Sequence, residues 1–369
     1  MADGTVGRWS VASFLHRHLL ALIVASYALA AVAPGPGLAI KDTAVIDLAT
    51  PLGPMTATTP KLLLALLLAC AGLRAKLGRV GQVVRRPRLL LAGLTANLLV
   101  PLAFLAAMVP VLRLWHNPDE AAIVLVGLAL VSSMPIAGSS TGWAQAADGD
   151  MALSLGLVLG STLLGPLTSP AALHALGAIV PGDYGGQLRR LAGGGTGAFL
   201  AAWVLLPAAL GIAARWWLGE GRVAAVEPRL KVVAPVALLV LCYSNAAACL
   251  PETIRRPDWD FLAIIATFVV GLCALTFAAG YALGRLLDAD RGQRASLMFA
   301  LGMNNNGTGL VLAALAFDAR PGMLLPIIIY NLVQHLVAGA VAALLARADR
   351  RAATATASSS APALAPALG

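Results

Sequence analysis

Apolar runs of bilayer-spanning length recur along the whole chain, and they decide what it can fold into. A helix needs about 20 residues to cross the hydrocarbon core of a membrane. Ten such runs fall near 18–38, 59–75, 88–112, 121–147, 150–173, 196–219, 229–250, 260–285, 294–317 and 322–347. The 369 residues are 59% hydrophobic and 12% charged, with a mean hydropathy of +0.83, too apolar for a soluble domain of this length. The fold class expected is an all-α integral membrane protein with about ten transmembrane helices. The tail, rich in Ala, Ser and Pro, reads as disordered.

The net charge of +9 invites a nucleic-acid reading, but the basic residues sit in short loops and form no stripe on a folded domain. No nucleic-acid partner is expected; the bilayer is the partner. The loop after the second run carries Arg74, Lys76, Arg79, Arg85, Arg86 and Arg88. With the N-terminus inside, 18 of the 26 Lys and Arg fall on the cytoplasmic side and 8 on the other. The positive-inside rule then places both termini in the cytoplasm, as an even number of spans requires, and a plasma (inner) membrane is the location expected. A signal peptide, with Arg17 ahead of the run Leu19–Val32, is the rival for the first span. Parity and charge bias favour keeping the span. Cys70, Cys242, Cys249 and Cys273 lie in apolar runs and read as packing residues. No zinc spacing, Walker loop or Gly-x-Ser-x-Gly elbow occurs, so no cofactor, resident metal or enzymatic activity is expected. Trp9, Trp115, Trp216, Trp217 and Trp259 lie near run ends and read as interfacial anchors.

Two of the runs are interrupted by polar, glycine-bearing stretches. The fourth contains MPIAGSSTG (134–142), and the ninth contains GMNNNGTG (302–309). Lipid cannot hydrogen-bond a backbone, so non-helical chain at membrane depth survives only where protein or a water-filled cavity satisfies it. Paired broken helices in matching positions point to the binding site of a secondary transporter. Each half has five spans and breaks its fourth, and an odd number inverts the second copy. The domains expected are a cytoplasmic N-terminus (1–17), a first five-helix repeat (18–180) and a glycine-rich linker (181–195). An inverted second repeat (196–347) and a disordered cytoplasmic tail (348–369) complete the chain. The linker suits an exposed connection or a short interfacial helix.

Ser139, Ser140 and Thr141 on one break and Asn304, Asn305 and Asn306 on the other supply neutral oxygens of the kind that suits a hard cation such as sodium. Small and polar residues also pack helices together. Two interrupted clusters in matching spans favour a site over packing alone. Asp148 and Asp150, just past the first break, read as a turn capping the next helix, with proton coupling as the alternative.

The segments around these breaks resemble the bile acid:sodium symporter family. The likeness lies in Arg86-Pro-Arg88, Asn97–Pro101, SSTGWAQAADGDMALS (139–154), STLLGPLTSP (161–170), ALGMNNNGTGL (300–310), Pro326 and the pair Gln334-His335. The resemblance implies ten helices divided into a panel (spans 1, 2, 6 and 7) and a core (spans 3–5 and 8–10). Helices 4 and 9, both broken, would cross beside the substrate. It also implies an ion site of Ser139, Ser140, Thr141, Ser154, Leu301, Met303 and Asn304, with sodium as the coupling ion. Asn97, Gly138, Trp143, Asn305, Asn306, Gln334 and His335 are the candidate substrate residues. This chain departs from the pattern at Ala300, where sodium-coupled members carry a glutamate, and at Thr141 and Val158, where they carry an asparagine and a hydroxyl residue. A site without a formal negative charge holds sodium more weakly.

The function expected is secondary transport of a small organic anion by alternating access, coupled to sodium at a weakened site. Sodium-independent or proton-coupled transport on the same fold is the alternative. A channel and an intramembrane enzyme are the rivals from other classes.

Overall fold

The computed structural model describes residues 11–50, 53–75, 78, 87–180, 182–317 and 320–359. Lys76, Arg79, Arg85 and Arg86 of the basic loop, Trp9 and residues 360–369 lie outside them. The described chain is helical apart from one hairpin, and it is a multi-pass membrane protein. Five helices are long and apolar enough to cross a bilayer, six if one bent pair counts as a span.

The first half runs α1 (Val11–Arg17), α2 (Leu19–Val32), α3 (Pro34–Asp42), a hairpin of β1 (Ala44–Thr50) and β2 (Gly53–Thr58), then α4 (Thr59–Arg74). It continues with α5 (Pro87–Leu112), α6 (Pro118–Ser133), α7 (Ser139–Ala146) and α8 (Met151–Ile179). The second half follows α9 (Gly182–Gly193). It runs α10 (Thr196–Leu200), a π-helical turn, α11 (Leu206–Ala246), α12 (Leu250–Arg255), α13 (Trp259–Leu286), α14 (Arg291–Gly302), α15 (Asn306–Ala316) and α16 (Leu325–Ser359).

Helix starts follow local chemistry. Asn117, Asp150, Asp258, Asp290 and Asn305 each accept a backbone N–H at the N-terminus of the helix that follows, and Asp290 forms a full capping box with Gln293. Asp150 accepts from Ala152 and Leu153 at 2.9 and 3.0 Å, which is the capping role expected of it.

Several expectations need correction. The first apolar run is not one helix: the chain bends by 96° between α2 and α3, where Ala33 precedes Pro34 and is pushed out of the helical region. The hairpin has no counterpart in the apolar pattern; Ala44 pairs with Thr58 and Thr50 with Gly53. The sixth and seventh runs stand as expected: they are two helices that meet at a kink within the 51-residue stretch Thr196–Ala246. Straight, it would extend roughly 77 Å, more than twice the hydrocarbon core. It is broken at Gly219, whose φ of 76° and ψ of 163° lie outside the helical region and suit glycine. Of the two forms expected for the linker it takes the short helix, α9, which buries Tyr184, Gly185 and Leu188. The last helix continues to Ser359, into the tail expected to be disordered, because its alanines favour helix.

Packing falls into two groups. In one, α4 lies along α11, with α2 and α3 beside them. The seam is made by glycine: a Cβ on Gly72 would stand 2.2 Å from the Ala208 carbonyl oxygen, and one on Gly211 2.2 Å from that of Ala69. In the other group, α13 packs on α14, α5 and α16, and α8 on α5 and α14. Polar cross-links tie the loops in two sets. In the first, His116 Nε2 lies 3.2 Å from Asp260 Oδ2, Tyr184 donates to Asp119 (3.3 Å) and Arg320 donates to Tyr184 (2.6 Å). Burial first, and then the Asp119 carboxylate, push the Tyr184 phenol above its ordinary pKa. In the second, Arg291 pairs with both oxygens of Asp349 and donates to the Ala147 carbonyl (2.9 Å), while Arg215 donates to that of Leu73 (3.2 Å).

Candidate functional site

Both interruptions are real breaks, and they meet. The first follows from Pro135: Met134, just before it, is extended (φ −78°, ψ 150°) and ends α6. The second begins where Met303 turns extended (φ −129°, ψ 112°) and ends where Asn305 caps α15, its Oδ1 accepting from Thr308 N at 3.3 Å. Ile136 and Asn304 form an antiparallel bridge between the two breaks. Ala137 N donates to Met303 O at 2.9 Å, and Asn305 N donates to Pro135 O at 2.8 Å. Each break thus satisfies backbone that the other leaves open.

The bridge has a second tier. Ile136 N donates to Ser161 Oγ on α8 at 3.1 Å, and Asn304 N donates to Gln334 Oε1 on α16 at 3.1 Å. The two bridged residues are therefore served alike, each by a side chain from the second helix after its own break, α8 or α16. On the second side the network continues. Gln334 Nε2 donates to Asn331 Oδ1 (3.4 Å), Asn331 Nδ2 to the Tyr27 hydroxyl (2.9 Å), and that hydroxyl to Cys242 Sγ (3.7 Å). A polar chain therefore runs from the break to α2 and α11.

The candidate ion residues separate. Ser140 and Ser154 are fully buried and Asn304 nearly so; Ser140 Oγ, Ser154 Oγ and Asn304 Nδ2 find no hydrogen-bond partner among the described residues. Buried polar atoms without partners are rare, and at a functional site they mark where a ligand's own groups belong. Ser139 is exposed, and the Thr141 hydroxyl donates to Gly138 O at 2.7 Å, so neither adds a buried ligand. Leu301 is buried, and the Met303 carbonyl is taken by the bridge. Ala300 is fully buried in an apolar cluster with Leu89, Ile136, Leu153, Leu157 and Leu297.

Among the candidate substrate residues, Trp143 and His335 come together: the indole N–H lies 3.4 Å from His335 Nδ1, and Trp143 stacks on Phe299. Gln334 serves the bridge and Asn305 the α15 cap. Asn306 is buried with both amide atoms unpartnered among the described residues. Gly138 is exposed at the start of α7. Asn97 belongs elsewhere: it lines a small cavity between α5, α6 and α8 with Ser132, Ser133, Ser161 and Thr168. Sequence reasoning missed Ser132, Ser161 and Tyr27 as polar elements of this region. A lone tyrosine inside an apolar run was the one signal for Tyr27, since such groups face the interior.

A family model, that of the SBF-like CPA transporter family, matches residues 17–347, which bears out the resemblance to bile acid:sodium symporter-type proteins. The chain is also similar to the uncharacterized protein YbaS of Bacillus subtilis (strain 168), 29% identical over 214 residues. That match covers 58% of this chain and 65% of the relative, a little under two thirds of its length.

Proposed function

The chain belongs to the SBF-like CPA transporter family, and on that premise we propose that it moves a small organic anion across the plasma membrane by alternating access. The observation that carries this reading is the bridge between the two broken helices. It brings two helix N-termini, those of α7 and α15, close together, with the buried unpartnered hydroxyl of Ser140 on α7. Helix N-termini favour an anion. Hydroxyl and amide oxygens suit a hard cation.

Ten spans result when α2, the short α4, the two broken helices and both limbs of Thr196–Ala246 are counted with α5, α8, α13 and α16. The loop cross-links support this topology. His116–Asp260 and Asp119–Tyr184–Arg320 join loops after odd-numbered spans, whereas Arg291–Asp349, Arg291–Ala147 and Arg215–Leu73 join segments that follow even-numbered ones. The even set carries the excess of positive charge, which supports cytoplasmic termini. The like-for-like service of Ile136 and Asn304 supports an inverted repeat. The group of α2, α4 and α11 then acts as panel and the rest as core.

The sodium ligands in this reading are Ser140, Ser154 and Asn304. A second reading, transport without sodium or driven by protons, is favoured by Ala300: where the resemblance puts a glutamate, this chain has an apolar cluster. The channel and enzyme readings have less support; His335 at the crossing accepts from the Trp143 indole, and among the described residues no serine hydroxyl pairs with it.

Uptake of labelled organic anions into proteoliposomes, with and without a sodium gradient, tests both readings. Saturable uptake that sodium stimulates, with the stimulation lost in Ser140→Ala and Asn304→Ala, is the expected result. Saturable uptake indifferent to sodium would select the second reading, and conduction without saturation would sink both.

A further inference from the structure

The loop between α5 and α6 meets the start of α13, far along the chain from the two breaks. His116 in that loop, Glu120 in the first turn of α6 and Asp260 in the first turn of α13 each bring a ligand atom to within 4.8 Å of the other two. His116 Nε2 and Asp260 Oδ2 are already 3.2 Å apart. Asp258 caps α13 by accepting from Phe261 N at 3.2 Å, and its carboxylate lies within hydrogen-bonding reach of that of Asp260. Three of these four residues are exposed; Glu120 is not. It is 8% exposed, and no Lys or Arg pairs with it among the described residues. Its partners are neutral: Trp115 Nε1 donates to Oε2 at 2.8 Å and Asn117 Nδ2 to Oε1 at 2.6 Å. Those two bonds fix the carboxylate and leave each oxygen a further lone pair.

A buried charge is ordinarily paired with another or bound to a metal. Around Glu120 stand two more carboxylates and one imidazole, so negative charge is in excess and nitrogen and oxygen ligands converge. We propose that His116, Glu120 and Asp260, with Asp258 as the fourth ligand, form a site for a zinc-type divalent cation that ties the α5–α6 loop to α13. An imidazole nitrogen among carboxylate oxygens is a donor set that suits zinc, whereas calcium and magnesium take oxygen alone. Ligands around tetrahedral zinc stand roughly 3.4 Å apart, so the exposed His116 and Asp260 side chains need to move about 1 Å to take in Glu120. Trp115 and Asn117 would hold Glu120 from behind, as outer partners hold metal ligands elsewhere. No spacing motif reveals this set, because Asp260 lies 140 positions beyond Glu120. On the ten-span topology the site faces outward and would fasten the outer ends of the third, fourth and eighth spans. Binding itself is a property of the folded chain and needs no transport reading.

The test is isothermal titration calorimetry of zinc chloride into the full chain, purified in detergent without a histidine tag and stripped with a chelator. The expected result is one zinc site, weakened by about tenfold or more in His116→Ala and in Asp260→Asn. His174→Ala, which removes an imidazole on α8, should leave the affinity unchanged. His116 and Asp260 are exposed, so their variants keep the test alive if Glu120→Gln at its buried position does not fold. Zinc that fails to bind, or binds both exposed variants as tightly as the wild type, overturns the inference. Calcium or magnesium bound in preference to zinc also overturns it, since the imidazole then has no part. No substrate enters the measurement, so its failure and a failure of the transport reading are separable.

Discussion

At the scale of single residues, the breaks survive because a few side chains stand in for lost helical partners. Gln334 has two such duties, accepting from Asn304 N and donating to Asn331. Gln334→Leu leaves a buried N–H and a buried amide oxygen unmet, and each costs about 1–3 kcal/mol. A fall in the thermal unfolding midpoint, with fold retained by circular dichroism, is the expected outcome; an unchanged midpoint would mean that Asn304 N has another partner. Tyr27 is the next joint in the chain. Tyr27→Phe and Asn331→Leu should each destabilise, and their double-mutant cycle should show coupling of about 1 kcal/mol. Additive effects would dissolve the link between the break and α2. The polar atoms of the breaks were readable from sequence because Ser, Thr and Asn inside an apolar run stand out. Which of them face a common space was not. Ser140 is buried and Ser139, one position away, is exposed, and that difference comes from how α7 packs on α14 and α8.

Among elements, close approach does much of the specification. Gly302 ends α14 where an added Cβ would stand 2.2 Å from the Phe277 ring. Gly302→Ala should therefore lose transport and yield, overpacking of this kind costing about 1–3 kcal/mol. A second substitution, Phe277→Leu, should restore much of both; if it does not, the glycine is needed for the break itself and not for room. The helices were legible from hydropathy, and so were the breaks, because Pro135 and the Asn304–Asn306 run cannot continue an apolar helix smoothly. The hairpin was not legible. Ala44–Thr50 carries no strand signal that outweighs its place between two apolar runs, and it becomes a strand by pairing with Gly53–Thr58. The bend at Ala33 follows from Pro34, which the sequence shows, whereas the laying of α3 on α11 and of α11 along α4 is settled by neighbours.

For the whole molecule, the loop cross-links make a topological prediction. Single cysteines placed at His116 or Asp258 in a background lacking the four native thiols should react with an impermeant maleimide added outside. Cysteines at Arg291 or Asp349 should react only after permeabilisation. Labelling of all four from one side would overturn the ten-span topology. The bridge between Ile136 and Asn304 has a consequence of a different kind, in how the chain is made. Its two strands are separated by about 170 residues, roughly ten to thirty seconds of ribosomal synthesis at ordinary rates. During that interval the first half sits in the bilayer with Pro135 O and the N–H of Ala137 waiting for partners the ribosome has not yet produced. The first half is thus never a finished product on its own, and a nascent chain stalled before Asn304 should be a ready target for the membrane's quality-control proteases.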